Sequence, residues 1–410
     1  MKKEEKIFFS ILRSIVWGTQ EELPTDVNWA EVLNLAANQK CLHAFGVWLK
    51  THRISTPYDK QLLRSTYSVF SHQTRLNILT LNVVNLLTQH HIPAILIKGY
   101  GLSVLYPDPD TRDFGDVDIY VGEEDYLRAA ELITAAYPDA YWHSDTRGGI
   151  HFILVLDKNL DRVVELHRVT MDFTDKRANT LYQNFTHKYL TKPAAIFIDM
   201  QSVSVPPLAY NTLYIFMHAW HHFESTGVGL RQLGDWALCL KLAHEQATPT
   251  EQLALRNEID QILTALHLKT AWQTFGHILV NELHLPIEAF PLYTTSYKHR
   301  ANRLLRQLLR DGHGGRPALF QKNNSTQSFK NIIQEIVLMQ RFPWERPKQN
   351  RVLQKCYTAC RLVFEAWQMS KFFPSFAWHE LKATIRSKYE TDCTHKLHNN
   401  IALHVEHKGR

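Results

Sequence analysis

The stretch RDFGDVDIYV, residues 112–121, places Asp116 and Asp118 two positions apart in a run that is rich in β-branched and aromatic residues. In a β-strand, residues i and i+2 point to the same face. The spacing therefore predicts two carboxylates side by side on one strand. Unpaired carboxylates repel each other, and a cation between them removes the repulsion. The pattern indicates a site for a hard divalent cation such as Mg2+ or Mn2+.

A third acid is expected on a neighbouring strand. In the run RVVELHRV, residues 162–169, Glu165 lies in the middle of a mostly apolar strand and shares a strand face with His167. A buried, unpaired Glu is costly, so Glu165 requires a metal or a basic partner. A third metal ligand is one interpretation, and a salt bridge to Arg168 or Arg112 is the other.

Hydrophobic periodicity divides the chain into helical segments around one mixed segment. A spacing of three to four predicts helices, and runs of alternating or β-branched residues predict strands. The expected strands are 92–99, 117–121, 150–156 and 162–169, with a helix over 123–137. The fold class predicted is α/β (α+β), a mixed-sheet core flanked by helices. The predicted regions are 1–89 (N-terminal helices), 90–205 (α/β core), 206–310 (helices closing the cleft) and 311–410 (basic helices with a frayed tail).

Composition and the N-terminal segment bear on the cellular compartment in which the protein is expected. The chain has 410 residues, of which 45% are hydrophobic, and it contains no apolar run of the ~18 residues that a membrane span needs. The N-terminal segment resembles a signal peptide, but Arg13 interrupts its apolar stretch and a small-residue cleavage site is missing. We expect a cytoplasmic protein that does not contact membranes.

Charge is unevenly distributed. The net charge is +6, and residues 291–410 hold 21 Lys and Arg against 8 Asp and Glu. A basic region can bind phosphates or nucleic acid, or it can simply solvate helices. The cations are spread between apolar helix positions, and RPKQNR (346–351) is the one dense cluster. Nucleic acid is therefore a less favoured partner than a small molecule or a protein.

Cysteine and histidine patterns give weak indications of zinc. The five cysteines are few and scattered, which argues against a disulfide framework. Cys356 and Cys360 have helical spacing, but two further ligands at matching spacing are not evident. His218, His221 and His222 also share a helix face, where either zinc binding, a contact with nucleotide or simple packing among aromatic neighbours is expected.

Motif order excludes several enzyme classes. The DFG at 113–115 looks like a kinase motif, but the Lys and the His-Arg pair around it stand in the wrong order for a kinase. The sequence contains no P-loop, GxGxxG, GxSxG or HExxH motif.

The segment LIKGYGLSVLYPDPDTRDFGDVDIYV, residues 96–121, resembles the polymerase-β-like nucleotidyltransferases, and most closely a bacterial group of uncharacterised members. The segment GLRQLGDWALCL, residues 229–240, resembles the same group through a recurring Arg…Asp pair. The residues that carry the resemblance are Lys98-Gly99, Tyr106-Pro107, Arg112, Asp116-x-Asp118, Glu165-Leu166-His167, Arg231 and Asp235. It covers about residues 90–240 well and the flanking helices loosely.

The resemblance implies transfer of a nucleoside monophosphate from an NTP, ATP being the first choice, to a hydroxyl group with release of pyrophosphate. The acceptor is open: a small molecule, a sugar or a protein. Two Mg2+ or Mn2+ ions are the implied cofactors, held by the implied catalytic residues Asp116, Asp118 and Glu165. The implied nucleotide-binding residues are Lys98, Gly99, Arg112, His167, Arg231 and Asp235.

One feature departs from the wider superfamily, in which Gly-Gly or Gly-Ser holds the triphosphate. Here the turn reads Lys98-Gly99-Tyr100-Gly101. Gly99 would let the backbone approach a phosphate at the start of a short helix over 100–106. Lys98 would add a positive charge, or would be an ordinary lysine at the end of a strand.

Structural roles compete with nucleotide binding for the basic residues. Arg112 could pair with Asp113 or Asp110, and Arg231 could pair with Asp235 one helical turn away. Two other functions also remain open: a catalytically silent nucleotide-binding or interaction protein on the same fold, and a nucleotidyltransferase that acts on tRNA or other RNA.

Overall fold

The structure is a computed structural model that describes residues 1–144, 151–155, 163–173, 175–225 and 227–312. The link 157–161, Cys356, Cys360, the cluster 346–351 and the region from 313 onward lie outside the described residues, as do most of the charges of the basic C-terminal third. The predictions made for them are therefore untested.

Four helices open the chain, as the apolar spacing predicts. They are α1 (Lys3–Trp17), α2 (Trp29–Asn38), α3 (Leu42–Thr51) and α4 (Asp59–Gln89). α1 buries one apolar stripe that includes Ile7, Ile11 and Ile15. This stripe follows the helical period and gives α1 an inward and an outward face.

Seven strands form one mixed sheet in the order β3-β4-β5-β2-β1-β7-β6 within the described residues. The strands are β1 (Ile95–Leu96), β2 (Val117–Tyr120), β3 (Tyr141–Ser144), β4 (His151–Val155), β5 (Val163–His167), β6 (Ala194–Ile198) and β7 (Gln201–Val205). β2 pairs with β5, and β1 with β7, in parallel, whereas the other neighbours are antiparallel. The mixed α+β fold is thereby confirmed.

Eight further helices complete the described fold, and none of the described helices is long and apolar enough to cross a membrane. Recognisable caps start two of them: Asp175 accepts a hydrogen bond at the start of α7, and Thr248 with Pro249 starts α10. The helices are α5 (Tyr100–Ser103), α6 (Gly122–Ala136), α7 (Lys176–Leu190), α8 (Leu208–Ser225), α9 (Leu230–Gln246), α10 (Pro249–Ala265), α11 (Lys269–Glu282) and α12 (Lys298–Asp311).

Several expected boundaries were wrong. The strand expected over 92–99 contains only Ile95–Leu96, because Pro93 has no amide hydrogen to give to a strand and the chain turns at Gly99. The short helix expected over 100–106 is one turn, Tyr100–Ser103. The expected antiparallel pairing of the strands at 150–156 and 162–169 is present between β4 and β5.

Two apolar clusters lie on opposite sides of the sheet. One unites α1–α3 with α7–α12, and buries the large side chains of Trp236 and Trp272. The other packs α6 and the second half of α4 against the sheet, through residues such as Leu79, Ile119 and Leu166. Alternate residues of β2 and β5 therefore face this second cluster, and the residues between them face the helical body.

Candidate active site

The acidic residues lie on two neighbouring parallel strands. The register of β2 and β5 sets Asp118 beside Glu165 and Tyr120 beside His167. Directly paired residues project to the same face of a sheet, so the polar side chains gather on the face opposite Ile119 and its apolar cluster. Asp116 lies one residue before β2. The sequence prediction of this arrangement rested on strand parity together with a hairpin-like link between the strands expected at 150–156 and 162–169.

A cavity of about 610 Å³ opens in front of these side chains. Asp116, Asp118 and Glu165 all line it, so the structure brings the three predicted acids to one cleft. The volume lies in the range of small-molecule and cofactor sites. The other predicted site residues in its wall are Lys98, Gly99, Arg112, His167 and Arg231.

Asp118 is the most enclosed of the three acids, with only 1% of its side chain exposed. Lys98 Nζ lies 2.7 Å from Asp118 Oδ1, and His167 Nε2 lies 3.1 Å from the same oxygen. Burial alone would raise the pKa of Asp118, but the charges of Lys98 and His167 hold that pKa well below its usual range. Asp118 is therefore ionised, and its other oxygen, Oδ2, is buried with no hydrogen-bond partner among the described residues.

The nearby charge of Asp118 disfavours the ionised form of Asp116. The negative charge of Asp118, and after it burial, raises the pKa of Asp116 to about 7. Near neutral pH this carboxyl group is thus shared between its neutral and charged forms. A divalent cation between the two carboxylates would stabilise the charged form of both.

The donor atoms fit a divalent cation. One ligand atom from each of Asp118, Glu165 and His167 lies within 4.8 Å of the others, and this is the one such triad among the described residues. The two carboxylates suit hard divalent ions such as Mg2+ and Mn2+, whereas an imidazole ligand is more typical of transition-metal ions such as Zn2+. The unsatisfied oxygen of Asp118 and the unfavourable charge of Asp116 are two further observations that agree with a bound cation.

Comparison with known proteins places the chain in a family. Residues 25–270, more than half of the chain, match the sequence profile of a family described as uncharacterised nucleotidyltransferase. The chain belongs to this nucleotidyltransferase family. No curated protein matches the chain. Membership supports nucleotidyl transfer in general terms, and with it an NTP substrate, but it specifies neither the nucleotide nor the acceptor.

A solved structure is also similar to the chain. It is the crystal structure of an antigenic nucleotidyltransferase-like protein from Paracoccidioides brasiliensis, which is 17% identical in sequence. The match covers 53% of this chain and 93% of that chain, with a TM-score of 0.30.

In this member of the family, the turn after β1 has a conformation that only glycine adopts easily. Gly99 has φ 55° and ψ −127°. The amides of Gly101 and Leu102 already donate to the carbonyl oxygens of Lys98 and Gly99 inside the turn. These two amides are therefore already engaged. Fewer amides remain for an anion than the helix expected over 100–106 would offer.

Arg112 is held by a partner that local sequence did not suggest. Its Nε and Nη2 donate to the two carboxylate oxygens of Asp235, at 3.1 and 2.9 Å. Tyr106 Oη donates to Asp235 as well, at 2.7 Å. Arg112 Nη1 also donates to the carbonyl oxygen of Gly99, at 3.2 Å. The pairing of Arg112 with the side chain of Asp113 or Asp110, considered from sequence, was wrong.

Arg231 likewise pairs outside its own helix. Its Nη1 lies 2.8 Å from Asp113 Oδ1 and also donates to the Asp113 carbonyl oxygen. Burial would raise the pKa of Asp113, but the charge of Arg231 lowers it below its usual range. The alternative ion pair between Arg231 and Asp235 was therefore wrong, because each residue reaches the loop before β2 instead.

Helix α8 also lines the cavity. His218, His221 and His222 line the cavity, and Nε2 of His218 lies 3.2 Å from Nε2 of His222. Burial, and then the positive charge of Lys98, lowers the pKa of His218 well below its usual range, so this imidazole is neutral. Among the described residues, no third donor joins this pair to complete a zinc site.

Sequence reasoning missed several residues that line the cavity, among them Tyr214 and Lys40. Tyr214 lies one helical turn before His218 on α8 and also lines the cavity, so helical spacing could have indicated it. Lys40 lines the cavity from the turn after α2, where its φ is 58°. No local motif in the sequence indicates Lys40.

Proposed function

We propose that the chain transfers a nucleoside monophosphate from an NTP, with ATP as the first choice, to a hydroxyl group of an acceptor. The observation that carries the proposal is the juxtaposition of Asp118 with Glu165 across β2 and β5, with Asp116 in the same cavity. Family membership supports the same reaction class.

Asp116, Asp118 and Glu165 would hold divalent cations, Mg2+ or Mn2+. When bound, such ions neutralise phosphate charge and lower the pKa of a hydroxyl group. The protein's own contribution is to fix two carboxylates on paired strands and a third directly before β2, so that the ions and the triphosphate would meet in one geometry. Lys98 and Arg231 place positive charge at the same cavity, where an anionic triphosphate would lie.

The reaction balances with the groups present. The acceptor oxygen forms a bond to the α-phosphorus while the bond from that phosphorus to the bridging oxygen of the β-phosphate breaks. Pyrophosphate leaves with the electron pair, and the hydroxyl proton passes to a carboxylate. Glu165 is suited to take this proton because 21% of its side chain is exposed, whereas Asp118 is nearly closed off.

Arg112 and Asp235 would act differently from the nucleotide-binding role that the resemblance implies. Both are buried, and each satisfies the other with two hydrogen bonds. We therefore assign them a positioning role, since Arg112 also holds the carbonyl of Gly99 at the base of the turn.

The test is to incubate the purified protein and a cell lysate with each NTP in turn, radiolabelled at the α-phosphate, with Mg2+ or Mn2+. Protease, ribonuclease and size fractionation then assign the label to protein, RNA or small molecule. We expect labelling by wild type and its loss in Asp118→Asn and Glu165→Gln. Asp110→Asn is the matched control: it changes an exposed acid in the segment before β2, and this variant should label normally. Equal labelling by all four proteins would refute the assigned site.

A further inference from the structure

Lys98 occupies a place on Asp118 that a metal ion would also use. Its Nζ lies 2.7 Å from Asp118 Oδ1, and its side chain is only 13% exposed. His167 lies against the same oxygen, whereas Oδ2 is buried with no hydrogen-bond partner among the described residues. The two oxygens of this carboxylate therefore differ: Oδ2 has no partner among the described residues, and Oδ1 is occupied by an ammonium group.

We propose that Lys98 is a tethered counter-ion that exchanges between Asp118 and the triphosphate, so that the full metal complement assembles only when nucleotide binds. The inference rests on the proposed function and adds an order of events to it. The unpartnered Oδ2 leaves Asp118 one carboxylate oxygen for a first cation while Lys98 stays in place. A second cation that uses Oδ1 must displace the ammonium group, and the phosphates of an NTP offer it a new anionic partner.

Charge explains why the exchange is coupled to nucleotide. Asp116, Asp118 and Glu165 lie together, and Lys98 offsets part of their repulsion in the absence of metal. A second divalent ion would meet the positive charge of Lys98 within a few ångströms in a largely buried setting, where charges interact strongly. The polyanionic triphosphate removes this conflict by accepting Lys98.

The test is a titration with Mn2+ alone, in which the electron paramagnetic resonance signal reports free Mn2+. Without nucleotide, wild type is expected to bind one ion per chain. Lys98→Gln removes the competing charge, so it should bind Mn2+ about tenfold more tightly or bind a second ion. Lys98→Arg keeps the charge and should stay near wild type. Lys40→Gln removes an exposed cation of the same cavity and should also stay near wild type.

A second titration uses an NTP analogue with a methylene group between the α- and β-phosphates, which cannot react at that bond. Lys98→Gln should bind this analogue about tenfold more weakly, in the opposite direction to its effect on Mn2+. If Lys98 had a merely structural role, Lys98→Gln would weaken the binding of Mn2+ and of the analogue together. Unchanged or weaker Mn2+ binding by Lys98→Gln, or an equal gain in Lys40→Gln, overturns the proposal.

Two further measurements distinguish a failure of the proposed metal site from a failure of the Lys98 exchange. Asp118→Asn must lose Mn2+ binding; if it binds as wild type does, the metal site of the proposed function is wrong, and the exchange falls with it. If Asp118→Asn loses Mn2+ while Lys98→Gln equals wild type, only the exchange is wrong. Should Lys98→Gln be unfolded without metal, circular dichroism should show that Mn2+ restores it, and a failure to restore it contradicts the competition.

Discussion

The buried ion pair between Arg112 and Asp235 offers the sharpest prediction on stability. The exposed fractions of the two side chains are 8% and 3%, and two hydrogen bonds join them. Asp235→Asn keeps the shape but removes the charge that neutralises Arg112. Breaking one side of a buried pair leaves an uncompensated charge and costs about 3–5 kcal/mol of unfolding free energy.

The assay is urea unfolding followed by tryptophan fluorescence, to which all ten tryptophans contribute, the core residue Trp236 among them. Glu245→Gln is the matched control. Glu245 pairs with Lys241, which lies one helical turn before it, and 50% of the Glu245 side chain is exposed. An exposed pair of this kind contributes about 0.3–0.5 kcal/mol. A loss for Asp235→Asn no larger than for the control would refute the reasoning.

A double variant sharpens the same test. Arg112→Met combined with Asp235→Leu removes both charges, so no buried charge remains unpaired. It should cost less than either single variant, because replacing a whole buried pair by apolar groups is often neutral. Costs that simply add would show that the two residues are not energetically coupled.

The remaining predictions concern the turn and the acids. Gly99→Ala should cost about 1–3 kcal/mol of unfolding free energy because of its backbone conformation, whereas Gly115→Ala, where an added Cβ meets nothing within 4 Å, should be nearly neutral by urea unfolding. In a thermal-shift titration, Mg2+ or Mn2+ should raise the melting temperature of wild type more than that of Asp118→Asn; a flat response in both would count against a metal site. The folded pKa of Asp116, about 7, exceeds its ordinary value of 3.8, so the metal-free folded protein binds this proton more tightly than the unfolded chain does. Its contribution to stability is therefore full below about pH 4 and is lost as the pH rises through 7. Melting temperatures measured in chelator should fall over this window in wild type relative to Asp116→Asn; parallel curves would contradict the assigned cause.

The sequence predicted the acids better than their surroundings. Asp118 and Glu165 follow from local strand parity, since a period of two fixes the face on which each side chain lies. The partners of Arg112 and Arg231 are 123 and 118 residues away in the chain. Helical spacing suggested the nearer pair of Arg231 with Asp235, but the packing of α9 against the loop before β2 favoured two longer-range pairs.

Strands β6 and β7, at one edge of the sheet, show a second limit of prediction from the sequence. β6 and β7 were not predicted as separate strands, although QSVSV alternates in the way that a half-buried strand does. Their connection turns at Asp199 and Met200, both with positive φ, without the Gly that usually indicates a tight hairpin. β6 is also largely exposed, so its hydrophobic pattern did not indicate a core strand.

The central claim is that the chain transfers the α-phosphorus of an NTP. Parallel reactions with one NTP labelled either at the α-phosphate or at the γ-phosphate, with the acceptor fraction from the lysate and Mn2+, test it most directly. The account predicts that the acceptor gains the α label, that the γ label appears in pyrophosphate, and that Asp118→Asn does neither. Transfer of the γ label to the acceptor, or α labelling that survives in Asp118→Asn, would contradict it.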